Sequence, residues 1–104
     1  MSVSLSVDWP DSEWEEVFLS SLRGMEQGWT PIAVKLGLEL IPQLSRWIQV
    51  TPENLDPLLG ELVVFRAELV RMGPGYEETV RIVDRFSTML GRLKETEGWS
   101  ATIG

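Results

Sequence analysis

The chain has 104 residues, 43% of them hydrophobic and 24% charged, with a net charge of −7 and neither histidine nor cysteine. That inventory excludes serine–histidine and cysteine–histidine catalysis, thiolate or imidazole zinc sites and the Glu-x-x-His di-iron pattern. It also argues against nucleic acid as a partner, because phosphate binding draws most of its affinity from clustered Lys and Arg.

The length suits one domain spanning 1–104, and the apolar fraction suffices for a core. A lack of cysteine fits a reducing cytoplasm. Residues Met1 to Asp8 have no basic stretch and no long apolar run, so they do not read as a signal peptide. No apolar run reaches the roughly 18 residues that a membrane span requires. The expectation is a cytoplasmic protein with no membrane partner.

Val3, Leu5 and Val7 alternate at the front and Trp99, Ala101 and Ile103 at the back, each compatible with a short strand-like tail. The two tails could pair with each other or across a dimer, although fraying ends are the simpler expectation. Between them, Thr30-Pro31, Thr51-Pro52 and Gly73-Pro74-Gly75 recur at helix-length intervals. A threonine before proline suits a helix start, and glycine followed by proline suits a stop.

The spacing predicts a first helix over 12–27, capped by Ser12 with Glu15 completing a capping box. Trp14, Phe18, Leu22 and Met25 form its apolar stripe. Residues 31–49 are ambiguous. Ile32, Val34, Leu36, Leu38 and Leu40 alternate like a strand, whereas Lys35, Glu39, Gln43, Arg46 and Gln49 form a helical polar row. The row favours a helix interrupted near Pro42, with a strand at 32–40 as the fallback. A third helix over 52–72 carries Leu58, Leu62, Phe65, Leu69 and Met72 inward, with Asp56 as the cap of its main part after a short turn. A fourth over 76–97 turns Val80, Val83, Phe86, Leu90 and Leu93 inward. The fold class expected is all-α, a four-helix up-down antiparallel bundle.

No motif of chemistry emerges. Glu13 with Glu16, and Glu77-Glu78 with Asp84, are acidic sets without calcium-loop spacing. Arg81, Arg85 and Arg92 alternate with acids, as on a solvated helix face. There is no glycine-rich phosphate loop. Catalytic residues, metal ligands and cofactors are therefore expected to be none. Trp14 and Trp47 read as core, and Trp9, Trp29 and Trp99 as lids at element ends.

Two features point to a protein partner. Residues 1–65 hold ten acids against Arg23, Lys35 and Arg46, and Asp8, Asp11, Glu13, Glu15 and Glu16 form a run with no base. Such a run is a solvated segment or a steering surface for a basic partner. Helices two and three also carry more apolar residues than a bundle face needs: Ile32, Val34, Leu38, Ile41, Leu59, Val63 and Val70. The function expected is a non-catalytic protein–protein interaction module that buries this face against a partner or a second copy, making a homodimer. A small acidic antitoxin or immunity-type protein is one version, on charge and size alone. The alternatives are a structural homo-oligomer subunit and a carboxylate-based ligand-binding protein or enzyme.

Overall fold

Val3, Leu5 and Val7 share one side of an extended segment whose other side is mostly serine, and such a strand is stable only with neighbours and a surface to pack on. In the computed structural model, which describes residues 1–104, this segment is β1 (Ser2–Asp8). It pairs antiparallel with β2 (Glu15–Ser21) on one side and with β4 (Ser100–Ile103) on the other. A short β3 (Ile48–Val50) completes a sheet of order β2-β1-β4-β3. The register sets Leu5 beside Ile103 and Val7 beside Ala101, so the two terminal strands form the middle of the sheet.

Helices cover one side of it. Ser21 accepts a hydrogen bond from the Gly24 N–H and starts α1 (Leu22–Gly24), which continues as a π-helical segment (Met25–Trp29) and α2 (Thr30–Lys35). Gly37, at φ 75, ends this run. Then α3 (Pro52–Met72) and α4 (Glu77–Lys94) form a helical hairpin between β3 and β4. Thr51 and Asn54 cap α3 reciprocally, and Gly73 at φ 84 turns the chain out of it. Val3, Leu5, Val7, Ala101 and Ile103 of the sheet meet Leu58, Leu62, Phe65, Val83, Phe86 and Leu90 of the hairpin in one buried cluster. Trp29 packs on Phe65 with ring centroids 5.1 Å apart.

The all-α four-helix bundle is thus overturned: the molecule is an α+β fold with a four-stranded antiparallel sheet. Residues 12–27 divide between a loop, β2 and the start of the helical run, with Ser21 rather than Ser12 as cap. The pattern Trp14, Phe18, Leu22, Met25 imitates a helix, yet β1 needs a neighbour and Val17 and Leu19 supply the inward residues. Residues 31–49 are helical only to Lys35. They then pass through a 3-10 turn (Ile41–Gln43) and enter β3, so the strand lies at 48–50 and not at 32–40. The tails do not fray but pair with each other. Asp56 caps nothing, because α3 starts at Pro52 and runs through Pro57, whose exposed side tolerates the missing N–H.

Two carboxylates fasten the irregular stretch to α3. Glu61 accepts hydrogen bonds from the backbone N–H groups of Glu39, Leu40 and Ile41 at 2.9–3.2 Å. Glu68, 9% exposed, receives two hydrogen bonds of 2.7 Å from Arg71 and lies 3.8 Å from the Lys35 ammonium. The Arg71 hydrogen bonds hold the Glu68 carboxyl below its ordinary range, against the opposing effect of burial. A carboxyl lowered in the folded state stabilises it fully above the unfolded value, about 4.3, and loses that contribution as pH falls through the folded value. Thermal melts of Glu68→Gln should therefore lie below wild type at about pH 7, and the gap should narrow as pH falls below about 4. A gap independent of pH would refute this role.

Candidate functional site

Because side chains alternate along a strand, the register places every residue of the sheet on one of two faces. Glu15 turns toward the helices, where its carboxylate meets Arg92 of α4 at 3.1 Å. Glu16 and Phe18 consequently share the opposite face, and exposed Trp14 immediately precedes the strand. Across the sheet, Phe18 lies beside Ser4 and Glu16 beside Ser6. Ser6 lies beside Thr102, which lies beside Gln49. Ser4 and Gly104 exchange backbone hydrogen bonds at 3.1 and 3.2 Å, and the same ladder brings Trp47 alongside Gly104. No helix packs on this face.

Its composition is unusual for solvent. Trp14, Phe18 and Trp47 are 58%, 53% and 56% exposed, and they frame a floor of Ser4, Ser6, Ser100, Thr102 and Gly104. Phe18 stands on edge strand β2 and Trp47 immediately before edge strand β3, about 14 Å apart at the usual strand spacing. Asp8 and Glu16 are the charges that the strands place on this face, and the strands hold no Lys or Arg.

Trp47 is held there against a local cost. It has φ 105, the one positive φ outside glycine, a conformation costing about 1–3 kcal/mol for a side chain of this size. Its ring lies over Gly104, where a Cβ would come 2.5 Å from Trp47 Cδ1. The backbone is strained, and glycine is required opposite, so that the indole can lie on the sheet.

The run of acids has been taken apart by the hairpin. Asp8 and Glu16 are on the open face, Asp11 and Glu13 are exposed in the β1–β2 connection, and Glu15 is turned away. The hydrogen bond from Arg92 is the main reason the Glu15 carboxyl lies below its ordinary range. The Arg92 guanidinium also covers the buried Trp9 ring at 4.7 Å. The Trp9 indole N–H is buried without a hydrogen-bond partner.

The apolar set expected on helices two and three does not form one surface. Ile41 is fully buried, and Ile32, Leu38 and Leu59 pack against the core. Val34, Val63 and Val70 are exposed, the latter two on the outer side of α3 with Val64. Trp14 and Trp47, read as core, are exposed, while Trp9 and Trp29 are buried and Trp99 half-buried. Phe18 was hidden by its helical spacing; the alternation of Trp14, Glu16 and Phe18 against Glu15, Val17 and Leu19 was the available signal.

No cluster of three or more acidic residues has metal-binding geometry. A cavity of about 190 Å³ between the π-helical segment and the helical hairpin is lined by Gly24, Gly28, Trp29, Phe65, Tyr76 and neighbours, with no carboxylate. No helix is long and apolar enough to cross a membrane. The chain matches no known family model, and no curated protein or solved structure is significantly similar to it.

Replacing Trp47 by glycine separates strain from support. Relief of the positive φ offsets the lost ring contact, so Trp47→Gly should change the unfolding free energy by less than about 1 kcal/mol. Denaturant titration checks this; a loss above about 3 kcal/mol would make Trp47 a structural residue.

Proposed function

We propose that this protein is a non-catalytic binding module that docks a basic polypeptide on the open face of its sheet. The observation that carries the reading is three large aromatic side chains, each more than half exposed, on or at the entrances of strands whose open face carries Asp8, Glu16 and no base. Aromatic rings are the usual anchors of interfaces, and each attracts a Lys or Arg cation by about 0.5–2 kcal/mol. Asp11 and Glu13 at the hairpin tip extend the negative field that steers a cationic partner.

Several features support binding over catalysis. Glu61 is engaged by backbone N–H groups and Glu68 by Arg71 and Lys35, so the least exposed carboxylates have structural partners. The apolar cavity of about 190 Å³ has no carboxylate in its lining. A cytoplasmic location and an antitoxin-like or immunity-like role, masking a basic site on another protein, fit the charge and the missing cysteines.

Octalysine provides a first probe, read through tryptophan emission because Trp14 and Trp47 are exposed at the entrances of β2 and β3. Saturable binding at low salt should weaken about fivefold or more in Trp14→Ala and in Asp8→Asn/Glu16→Gln. Equal binding by wild type and both variants would sink the proposal.

A second reading, a homo-oligomer, is favoured by the outer side of α3, where Val63 and Val70 are 70% and 56% exposed with Val64 between them. Light scattering across a concentration series tests it. A dimer abolished by Val63→Lys would support this reading, and a concentration-independent monomer would end it.

A further inference from the structure

The edge of the sheet beside the open face is also unpaired. The backbone N–H and C=O of Ser4 are both engaged by Gly104, so they point toward β4. Backbone groups of an antiparallel strand alternate in direction. Leu5 and Val7 therefore turn theirs toward β2, where they lie beside Val17 and Glu15. It follows that Glu16 and Phe18 send their N–H and C=O groups outward. β2 is an edge strand, and no backbone bond beyond the sheet ladder reaches these groups.

A groove of about 360 Å³ runs along the same edge between β2 and α4, lined by Val17, Asp84, Arg85, Thr88, Met89 and Arg92. Arg66 holds Asp84 at 2.6 Å and Glu15 holds Arg92, leaving Arg85 as the groove charge without an ionic partner. The register shift opposite Leu19 bends the far end of β2. The straight part with an unpaired outer edge is Glu15 to Phe18.

We infer that β2 accepts an antiparallel strand from a basic partner protein, laid between its outer edge and α4. This rests on the proposed basic-partner reading of the open face and adds the manner of capture. Strand addition draws affinity from main-chain hydrogen bonds and specificity from alternate side chains. Residues of the incoming strand beside Glu16 and Phe18 join the open face, where acid and aromatic rings select Lys or Arg. Residues beside Val17 enter the groove, where Val17 and Met89 select an aliphatic side chain. The motif recognised is thus a short alternation of basic and aliphatic residues. A second copy of β2 is a poor occupant, since it offers Glu15 and Glu16 and no base to the same surface.

The test uses the full chain and an end-blocked heptapeptide of alternating Lys and Val, with two further versions N-methylated either at every Lys or at every Val. In an antiparallel addition the residues beside Glu16 and Phe18 are those whose N–H groups face β2. The unmodified peptide should bind and slow hydrogen exchange at the Glu16 and Phe18 amides about tenfold or more. Methylation at Lys should weaken binding by about tenfold or more, whereas methylation at Val should leave it nearly intact. Binding without slowed exchange, or equal effects of the two methylations, would overturn strand addition and leave the open-face reading standing. The same holds if this peptide fails to bind while octalysine binds. Failure of both peptides removes both proposals.

Discussion

The structure depends on the pairing of its first strand with its last. β1 and β4 lie side by side at the centre of the sheet, so Leu5, Val7, Ala101 and Ile103 form one apolar strip. β2 attaches to one side of that strip and β3 to the other. Neither outer strand has a second neighbour, and each depends on the central pair for its ladder. Closing this contact requires nearly the whole chain to loop back on itself. The closure cost grows only slowly with loop length, and the buried cluster that includes α3 and α4 offsets it. Such a topology couples cooperative stability to slower folding, because the central contact is also the most distant in sequence.

Given that centre, the helical layer can cover one face only. α3 and α4 arise between β3 and β4, and the α1–α2 run arises between β2 and β3, and all pack on the Leu5–Ile103 side. The irregular 36–47 segment that returns the chain to β3 buries Ile41 and Leu44 in the core, but the N–H groups of Glu39, Leu40 and Ile41 find no backbone acceptor. Glu61 compensates by accepting three consecutive N–H groups, which would otherwise be poorly satisfied beside the core.

Much of the helical part was legible in the sequence. Thr51-Pro52 and Gly73-Pro74-Gly75 bracket α3, and the 3.6-residue apolar spacing marks both α3 and α4. The alternation in β1 and β4 was visible too, but taken alone each tail is too short to be stable, and nothing local reveals that they are partners. β2 was illegible for a different reason. Trp14 and Phe18 lie four apart and fit a helix stripe, yet in the structure Phe18 is on the open face of a strand and exposed Trp14 immediately precedes it. Their exposure is a tertiary fact, fixed by the demand of β1 for a neighbour. The same misreading hid the candidate site, because aromatics counted as core could not be counted as surface.

An open sheet face beside an unpaired edge is a liability, since it invites pairing with any extended chain. Here the liability is restricted by three features. The register shift at Leu19 bends one end of β2, Glu15 and Glu16 occupy the other, and a net charge of −7 makes copies of the chain repel one another. None of these features blocks a cationic strand, and the acids favour one. A protein selected only for solubility could place serine or lysine where Trp14, Phe18 and Trp47 stand, and would avoid the positive φ at Trp47. The combination that survives, aromatic side chains exposed at a backbone cost within a charge pattern hostile to self-association, fits the proposed capture of an oppositely charged partner.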